Sequence, residues 1–273
     1  MTAATVGLRA APARSHPPLL LQIGELARRS IVRTLRQPAA IVPATLFPLI
    51  LLAINSAGLD SATDLPGFPT DSYVTFALAF AFLQAGVFAV IGTGQNLAED
   101  QVSGFWNRMQ LTPIRAPALV AGQLAGTLAL GLFQAATYIS VGLIAGGHIE
   151  AGIPGALVLI ALATLITLAF GSIGLIAGMR ASSPENVQGL FPVVFVFLFM
   201  SSMAMPRDLI ETDWFRTIAT YNPVSYMIEG IRSLLIFGWD GEALALGFGC
   251  ATAILVIALT VASRSMKDRM VRT

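Results

Sequence analysis

Ser72-Tyr-Val-Thr-Phe-Ala-Leu-Ala-Phe-Ala-Phe-Leu-Gln-Ala-Gly-Val-Phe-Ala-Val-Ile-Gly-Thr-Gly-Gln-Asn-Leu-Ala98 lies between Asp71 and Glu99 and holds no charged residue. A helix of that length crosses a hydrocarbon layer ~30 Å thick, which takes about 20 mostly apolar residues. A strand there would leave its amides unpaired in lipid. Five more charge-free runs exceed twenty residues, between Arg36 and Asp60, Arg115 and Glu150, Glu150 and Arg180, Glu185 and Arg207, and Glu242 and Arg264. The expected fold is therefore an all-α integral membrane protein with six transmembrane helices, at about 38–57, 72–94, 118–146, 154–178, 187–205 and 243–263, forming one domain over about 38–263.

Composition points the same way. Only 11% of residues are charged, against about a quarter in soluble domains, and 55% are hydrophobic. The net charge of +1 suggests no nucleic-acid partner. A single cysteine, Cys250, rules out an intramolecular disulfide and a cysteine metal cluster.

The distribution of charge sets the orientation. With a cytoplasmic N-terminus, thirteen basic residues (Arg9, Arg14, Arg28, Arg29, Arg33, Arg36, Arg108, Arg115, Arg180, Arg264, Lys267, Arg269, Arg272) fall inside and three (Arg207, Arg216, Arg232) outside. That bias predicts both termini in the cytoplasm.

Residues 1–17, rich in Ala and Pro, are expected to be a disordered tail, and 264–273 a cytoplasmic one. The apolar Leu19-Leu20-Leu21 is too short for a secretion signal, and Glu25, Arg28 and Arg29 follow where a cleavage site would be. At helical spacing Ile23, Leu26, Ala27, Ile31 and Leu35 share one face, with Glu25, Arg29, Arg33 and Arg36 opposite. An amphipathic interfacial helix over 18–37, its arginines beside anionic head groups, is the expectation; a solvated tail is the alternative.

Gly122 and Gly126, Gly142 and Gly146, and Gly174 and Gly178 form GxxxG pairs suited to close helix approach, a pattern that also arises by chance among 25 glycines. Pro43, Pro48 and Pro192 are candidate kinks. Catalytic patterns are missing: there is no HExxH, no GxSxG and no phosphate loop around the single Lys267, so no catalytic residue is assigned. His148 beside Glu150 reads as an interfacial residue, and no metal site is expected.

Two segments outside the expected spans carry more information. Cytoplasmic Asn96-Leu-Ala-Glu99-Asp100-Gln-Val-Ser-Gly104-Phe-Trp-Asn-Arg108-Met-Gln-Leu-Thr-Pro113-Ile-Arg115 reads as a short surface helix with Phe105, Met109 and Leu111 on one side and Glu99, Asp100, Arg108 and Arg115 toward water. The extracellular segment Asn222-Pro223-Val-Ser-Tyr226-Met-Ile-Glu229-Gly230-Ile-Arg232 to Phe237 is helical in spacing but too short to span, so a re-entrant or extracellular helix between spans five and six is expected. Asn222 would cap it, Pro223 fits its first turn, and Glu229 and Arg232 would pair on a solvent-facing side. A lid over an exit and a plain surface loop are the two readings.

Together these segments resemble the membrane subunit of type-2 ATP-binding-cassette exporters, the permease family of the daunorubicin-resistance transporters. Glu99, Asp100, Gly104, Arg108, Leu111, Thr112, Pro113 and Arg115 match the family's loop after the second span, and Asn222, Pro223, Ser225, Tyr226, Glu229, Gly230 and Arg232 match its segment before the last. Phe105-Trp106-Asn107 departs from the small residue, Leu and Glu more usual there. The resemblance implies a permease that binds no cofactor itself and works with a separate ABC ATPase subunit carrying ATP and magnesium, and with a second permease copy, as homodimer or heterodimer. It implies a bacterial plasma-membrane location and export of a hydrophobic or amphipathic substrate. The Glu99 to Arg115 segment would be the coupling helix, and Phe76, Phe80, Gln84, Phe88, Phe195 and Phe199 would line the path, lipid contact being the alternative for each phenylalanine. A secondary transporter would need an ionisable residue within a span and a channel a polar filter, and neither is visible; a non-transporting assembly factor remains open.

Overall fold

The computed structural model describes residues 18–110 and 114–271. The expected tail at 1–17, and Leu111, Thr112 and Pro113 of the motif expected to face the cytoplasm, lie outside the described residues. Within them the chain is helical and has no strand: α1 (Leu19–Leu35), α2 (Pro38–Leu59), α3 (Tyr73–Val102), α4 (Phe105–Gln110), α5 (Ala116–Ile144), α6 (Gly152–Arg180), α7 (Pro184–Gln188), α8 (Phe191–Phe199), α9 (Asp213–Tyr221), α10 (Pro223–Arg232) and α11 (Gly241–Val271). Five of these, α2, α3, α5, α6 and α11, are long and apolar enough to cross a membrane. The chain is a multi-pass membrane protein.

The expected fifth span, 187–205, is not one continuous helix. Pro192 near the start of α8 has no amide hydrogen and crowds the preceding turn, so the helix breaks at Gly189-Leu190 and restarts. After Phe199 the chain leaves the helix through turns at Ser201 and Ser202. The apolar helical stretch Pro184–Phe199 is therefore about 24 Å long at 1.5 Å per residue, short of the hydrocarbon thickness.

α3 is the central post, with 89% of its most apolar window buried against 22% for α2 and 17% for α11, whose outer faces are left for lipid. It packs most extensively on α6, where glycines remove the side chains that would hold two backbones apart. An added Cβ at Gly94 would sit 2.8 Å from the Gly174 carbonyl oxygen, and one at Gly178 would run into the carbonyl of Gly94. The pair Gly122 and Gly126 plays the same part for α1, which lies in the groove they leave on α5 against Leu26 and Ser30. The third pair divides: Gly142 receives Leu78 of α3, whereas Gly146 has φ +88° in the turn after α5.

Pro48 inside α2 cannot donate to Ala44, four residues earlier. That carbonyl is taken instead by Gln134 Nε2 at 3.1 Å and Tyr138 Oη at 3.3 Å, one turn apart on α5, so the broken helical bond becomes a tertiary tie. Interhelical hydrogen bonds in lipid average about 0.6 kcal/mol. Gln134→Leu or Tyr138→Phe alone should each cost about that much. The double variant should cost about 1–3 kcal/mol, because the Ala44 oxygen is then buried with no donor. Thermal melts of the detergent-solubilised singles and double read this non-additivity, and additive losses would refute the shared acceptor.

Candidate functional site

At the end of the bundle that carries α4, α3 runs past its apolar stretch and holds Glu99 and Asp100 in its last turns. Asp100 is turned inward, its side chain 4% exposed. It accepts from Arg29 Nη1 at 3.1 Å and Nη2 at 2.7 Å, from Arg33 Nη1 at 2.8 Å and from Gln123 Nε2 at 2.7 Å. Arg33 also pairs with Glu99 and donates to the Asn96 carbonyl oxygen. Arg29 lies 3.6 Å above the Phe105 ring of α4, so one guanidinium ties α1, α3 and the short surface helix together. Gly104, at φ +69°, makes the turn between α3 and α4.

Two expectations change here. Asp100 does not face water with Glu99, Arg108 and Arg115, and Arg29 and Arg33 are spent on carboxylates of α3. The cause is the seat of α1 on the glycine groove of α5, where Ser30 Oγ donates to the Gln123 carbonyl and Gln22 Oε1 accepts from the Arg115 amide. With α1 held that close, its arginines reach the end of α3. Arg108 and Arg115 are exposed, and the Glu99 side chain is 48% exposed.

The opposite end of the bundle is organised by α10. Asn222, Ser225, Glu229 and Arg232 are spaced three, four and three apart, one stripe of the helix. Asn222 Oδ1 caps the helix by accepting from the Val224 amide, while its Nδ2 donates to the Phe197 and Met200 carbonyls at the end of α8, 2.9 Å each. Ser225 Oγ accepts from the Ser202 amide at 3.0 Å. Glu229 pairs with Arg207 at 2.5 Å and accepts from Ser202 Oγ at 3.3 Å. Arg232 donates to the carbonyls of Ser202 and Met203 and stacks 3.6 Å over Phe76. The stripe thus satisfies the open carbonyls where α8 stops. Tyr226 points elsewhere, its hydroxyl donating to the Thr220 carbonyl and its ring facing Arg207.

This corrects the sequence-based picture of a charged face in solvent. Arg232 is 4% exposed, and the ion-pair partner of Glu229 is Arg207, not Arg232. Burial raises the Glu229 carboxyl above the usual value, with Arg207 as the opposing influence, and burial lowers Arg232 to about 9. Past α10 a π-helical turn, Ser233–Phe237, offers the Leu234 and Leu235 carbonyls to the amides of Ala151 and Glu150, fixing the α5–α6 loop to the same unit.

Between the two ends the expected path residues sort into groups. Phe88 meets Phe191 at 5.9 Å, Phe191 meets Phe195 at 5.1 Å, Phe195 meets Phe199 at 5.0 Å and Phe199 meets Phe80 at 6.2 Å, a ladder between α3 and α8 that Phe47 of α2 joins at Phe88 and Phe195. Phe76 stands apart, beneath Arg232 and against Phe68 and Tyr73. Gln84 is fully buried within α3, and neither of its amide atoms has a hydrogen-bond partner among the described residues. Arg29, Arg33, Gln123, Arg207 and Ser202 belong to these arrangements and were not singled out as site residues; only the spacing of Ser225 with Asn222 and Glu229 was a readable signal.

The family model for the ABC-2 type transporter matches residues 21–236, which takes in both ends. Daunorubicin resistance ABC transporter permease protein DrrB1 of Streptomyces coeruleorubidus is 30% identical over 72% of this chain and 69% of its own length. The transport permease ycf38 is 23% identical in Porphyra purpurea, over 78% of this chain and 74% of that protein, and 24% identical in Pyropia yezoensis, over 79% and 74%. A match over most of the described helices, joined to this multi-pass architecture, places the chain in the ABC-2 type transporter family as a membrane subunit of an ABC transporter.

Proposed function

We propose that the chain is the permease of an exporter that moves a hydrophobic or amphipathic molecule out of the cytoplasm or inner leaflet, driven by a separate ABC ATPase and paired with a second permease copy. It would sit in a bacterial plasma membrane with both termini cytoplasmic, α7–α8 serving as the fifth of six crossings. Supporting that count, Val187 packs at the level of Gly94 and Met203 at the level of Phe76, eighteen residues apart on α3 or about 27 Å. The relative named for daunorubicin resistance favours a drug-like substrate.

The observation that carries the coupling role is the Arg29 junction. A push on α4 reaches α3 and α1 through Phe105, Arg29 and Asp100 without passing through a flexible joint. The test is reconstitution in proteoliposomes with the partner ATPase and a neutral amphipathic dye, Nile red, as cargo. ATP-dependent accumulation should need both subunits. Accumulation by the permease alone, or none with an active ATPase assembled, would refute the reading.

At the exit end, α10 would act as the lid, released when the Arg207–Glu229 pair opens. Glu229→Gln suits the test because it keeps the side-chain shape and an acceptor for Ser202, and with both partners of the Arg207 pair about a quarter exposed, loss of the charge should cost about 1 kcal/mol or less. Export should fall while expression and ATPase assembly persist; unaltered export would leave α10 a connector. Arg232→Ala does not separate lid from fold, since it strips two carbonyls of their donor.

A further inference from the structure

Along α3, Phe80, Gln84, Phe88, Gly92 and Gln95 recur at intervals of four, four, four and three, so they share one face of the helix. The lower end of that face opens on a cavity of about 270 Å³ enclosed by the end of α1, the start of α2, α3, α5 and the end of α7. Four carboxamides line it: Gln37, Gln95, Asn96 and Gln188. Phe88, the first rung of the aromatic ladder, lines it as well. No Asp, Glu, Lys or Arg is among its lining residues within the described part of the chain, and Arg33 and Glu99, close in sequence to Thr34 and Asn96 of the lining, are paired with each other. Gly92 also lines it, and a Cβ added there meets nothing within 4 Å, so this wall is open space rather than a helix contact.

The chemistry of that lining selects a ligand. An ion entering would shed water and find no counter-charge, a cost carboxamides do not offset. A carboxamide both donates and accepts, which suits hydroxyl and carbonyl groups of an uncharged molecule. The ring of Phe88 suits the apolar part of the same molecule. One step further along the stripe, Gln84 is the next carboxamide, buried with both polar atoms unpaired among the described residues, a cost with no visible internal return.

We propose that this cavity is an intake site for uncharged amphipathic molecules carrying hydroxyl or carbonyl groups, with Gln95 and Gln188 orienting the polar end, Phe88 receiving the apolar end and Gln84 as the next polar contact along the ladder. The proposal rests on the transport reading and narrows it to a substrate class.

The test uses the full-length chain in nanodiscs, with Cys250→Ala removing the only native thiol. A thiol is introduced as Gly92→Cys or, as a lipid-facing control, as Gly249→Cys on exposed open surface of α11. Alkylation by a maleimide is timed with neutral Nile red, cationic rhodamine 6G or anionic anilinonaphthalene sulfonate present. Nile red should slow alkylation at position 92 by about ten-fold at a concentration ten times its dissociation constant, and leave position 249 unchanged. Neither charged probe should protect. Absence of protection at 92, equal protection at 249, or protection by a charged probe would each overturn the proposal. The measurement needs no ATP and no partner, so it can fail while the transport reading stands. In the reconstituted transporter Gly92→Leu, which starts a side chain into the cavity from a position where an added Cβ meets nothing within 4 Å, should lower Nile red transport by about ten-fold with ATPase assembly retained; undiminished transport would also overturn it.

Discussion

Asp100→Leu should uncouple the permease and loosen α1 in one stroke. Among the described residues the aspartate is the one acceptor shared by Arg29, Arg33 and Gln123. Leucine leaves two guanidinium groups and an amide facing an apolar side chain in a mostly closed site. Breaking one partner out of a buried charge cluster costs about 3–5 kcal/mol, and because Arg29 is 36% exposed the lower end applies. The loss falls on one junction. The apolar packing of α3 on α6 is untouched, so the bundle should insert and accumulate. α1 should become sensitive to trypsin at Arg28 and Arg29, and transport should drop to background while the assembled ATPase still turns over. Asp100→Asn, which keeps the shape and one acceptor oxygen, should fall between. A protected α1 with normal transport in the leucine variant would remove Asp100 from the coupling path. Glu99→Ala, on an exposed pair with Arg33, should cost within about 0.5 kcal/mol and serves as the surface control.

How much of this was legible follows from what kind of information each feature needs. A missing charge over twenty residues is a one-dimensional signal, and it located the long helices α2, α3, α5, α6 and α11. The break of α7–α8 was not legible, although Pro192 was noticed, because a proline alone does not say whether a helix kinks or stops. What stops α8 is the stripe on α10 that receives the carbonyls of Phe197, Met200, Ser202 and Met203, and that reception is a contact between segments about 25 residues apart. Charge was misread for the same reason. Arg232 and Asp100 are ionisable residues at helix ends, where solvent is the default partner. Nothing local announces that Phe76 and the carbonyls after α8 will enclose one, or that α1 will deliver two arginines to the other. Glycine spacing was ambiguous in the converse way: three identical patterns turned out to be two helix contacts and one pair split between a contact and a turn.

The GxxxG pair in α6 sets the largest expected loss. Gly174 faces the Val90 carbonyl and Gly178 the Gly94 carbonyl, both on α3, and an added Cβ at either is stopped by backbone, which cannot rotate away as a side chain would. Overpacking a closed contact costs about 1–3 kcal/mol and more where no rotamer relieves it. The contact joins the two most buried long helices, so separating them also opens the cluster around Phe76, Phe82 and Leu159. Gly174→Val should therefore cost at least about 3 kcal/mol and leave little folded protein in the membrane, and Gly178→Val should do nearly the same. Gly174→Ala should be milder yet still destabilising. Gly249→Val on α11 meets only open space and faces lipid, where an added apolar side chain should be neutral. Membrane accumulation and detergent melting of these four variants separate glycine as a contact from glycine as composition. Should Gly174→Val melt within a degree or two of the parent, the α3–α6 approach is wider than described and the central post of the fold is misplaced.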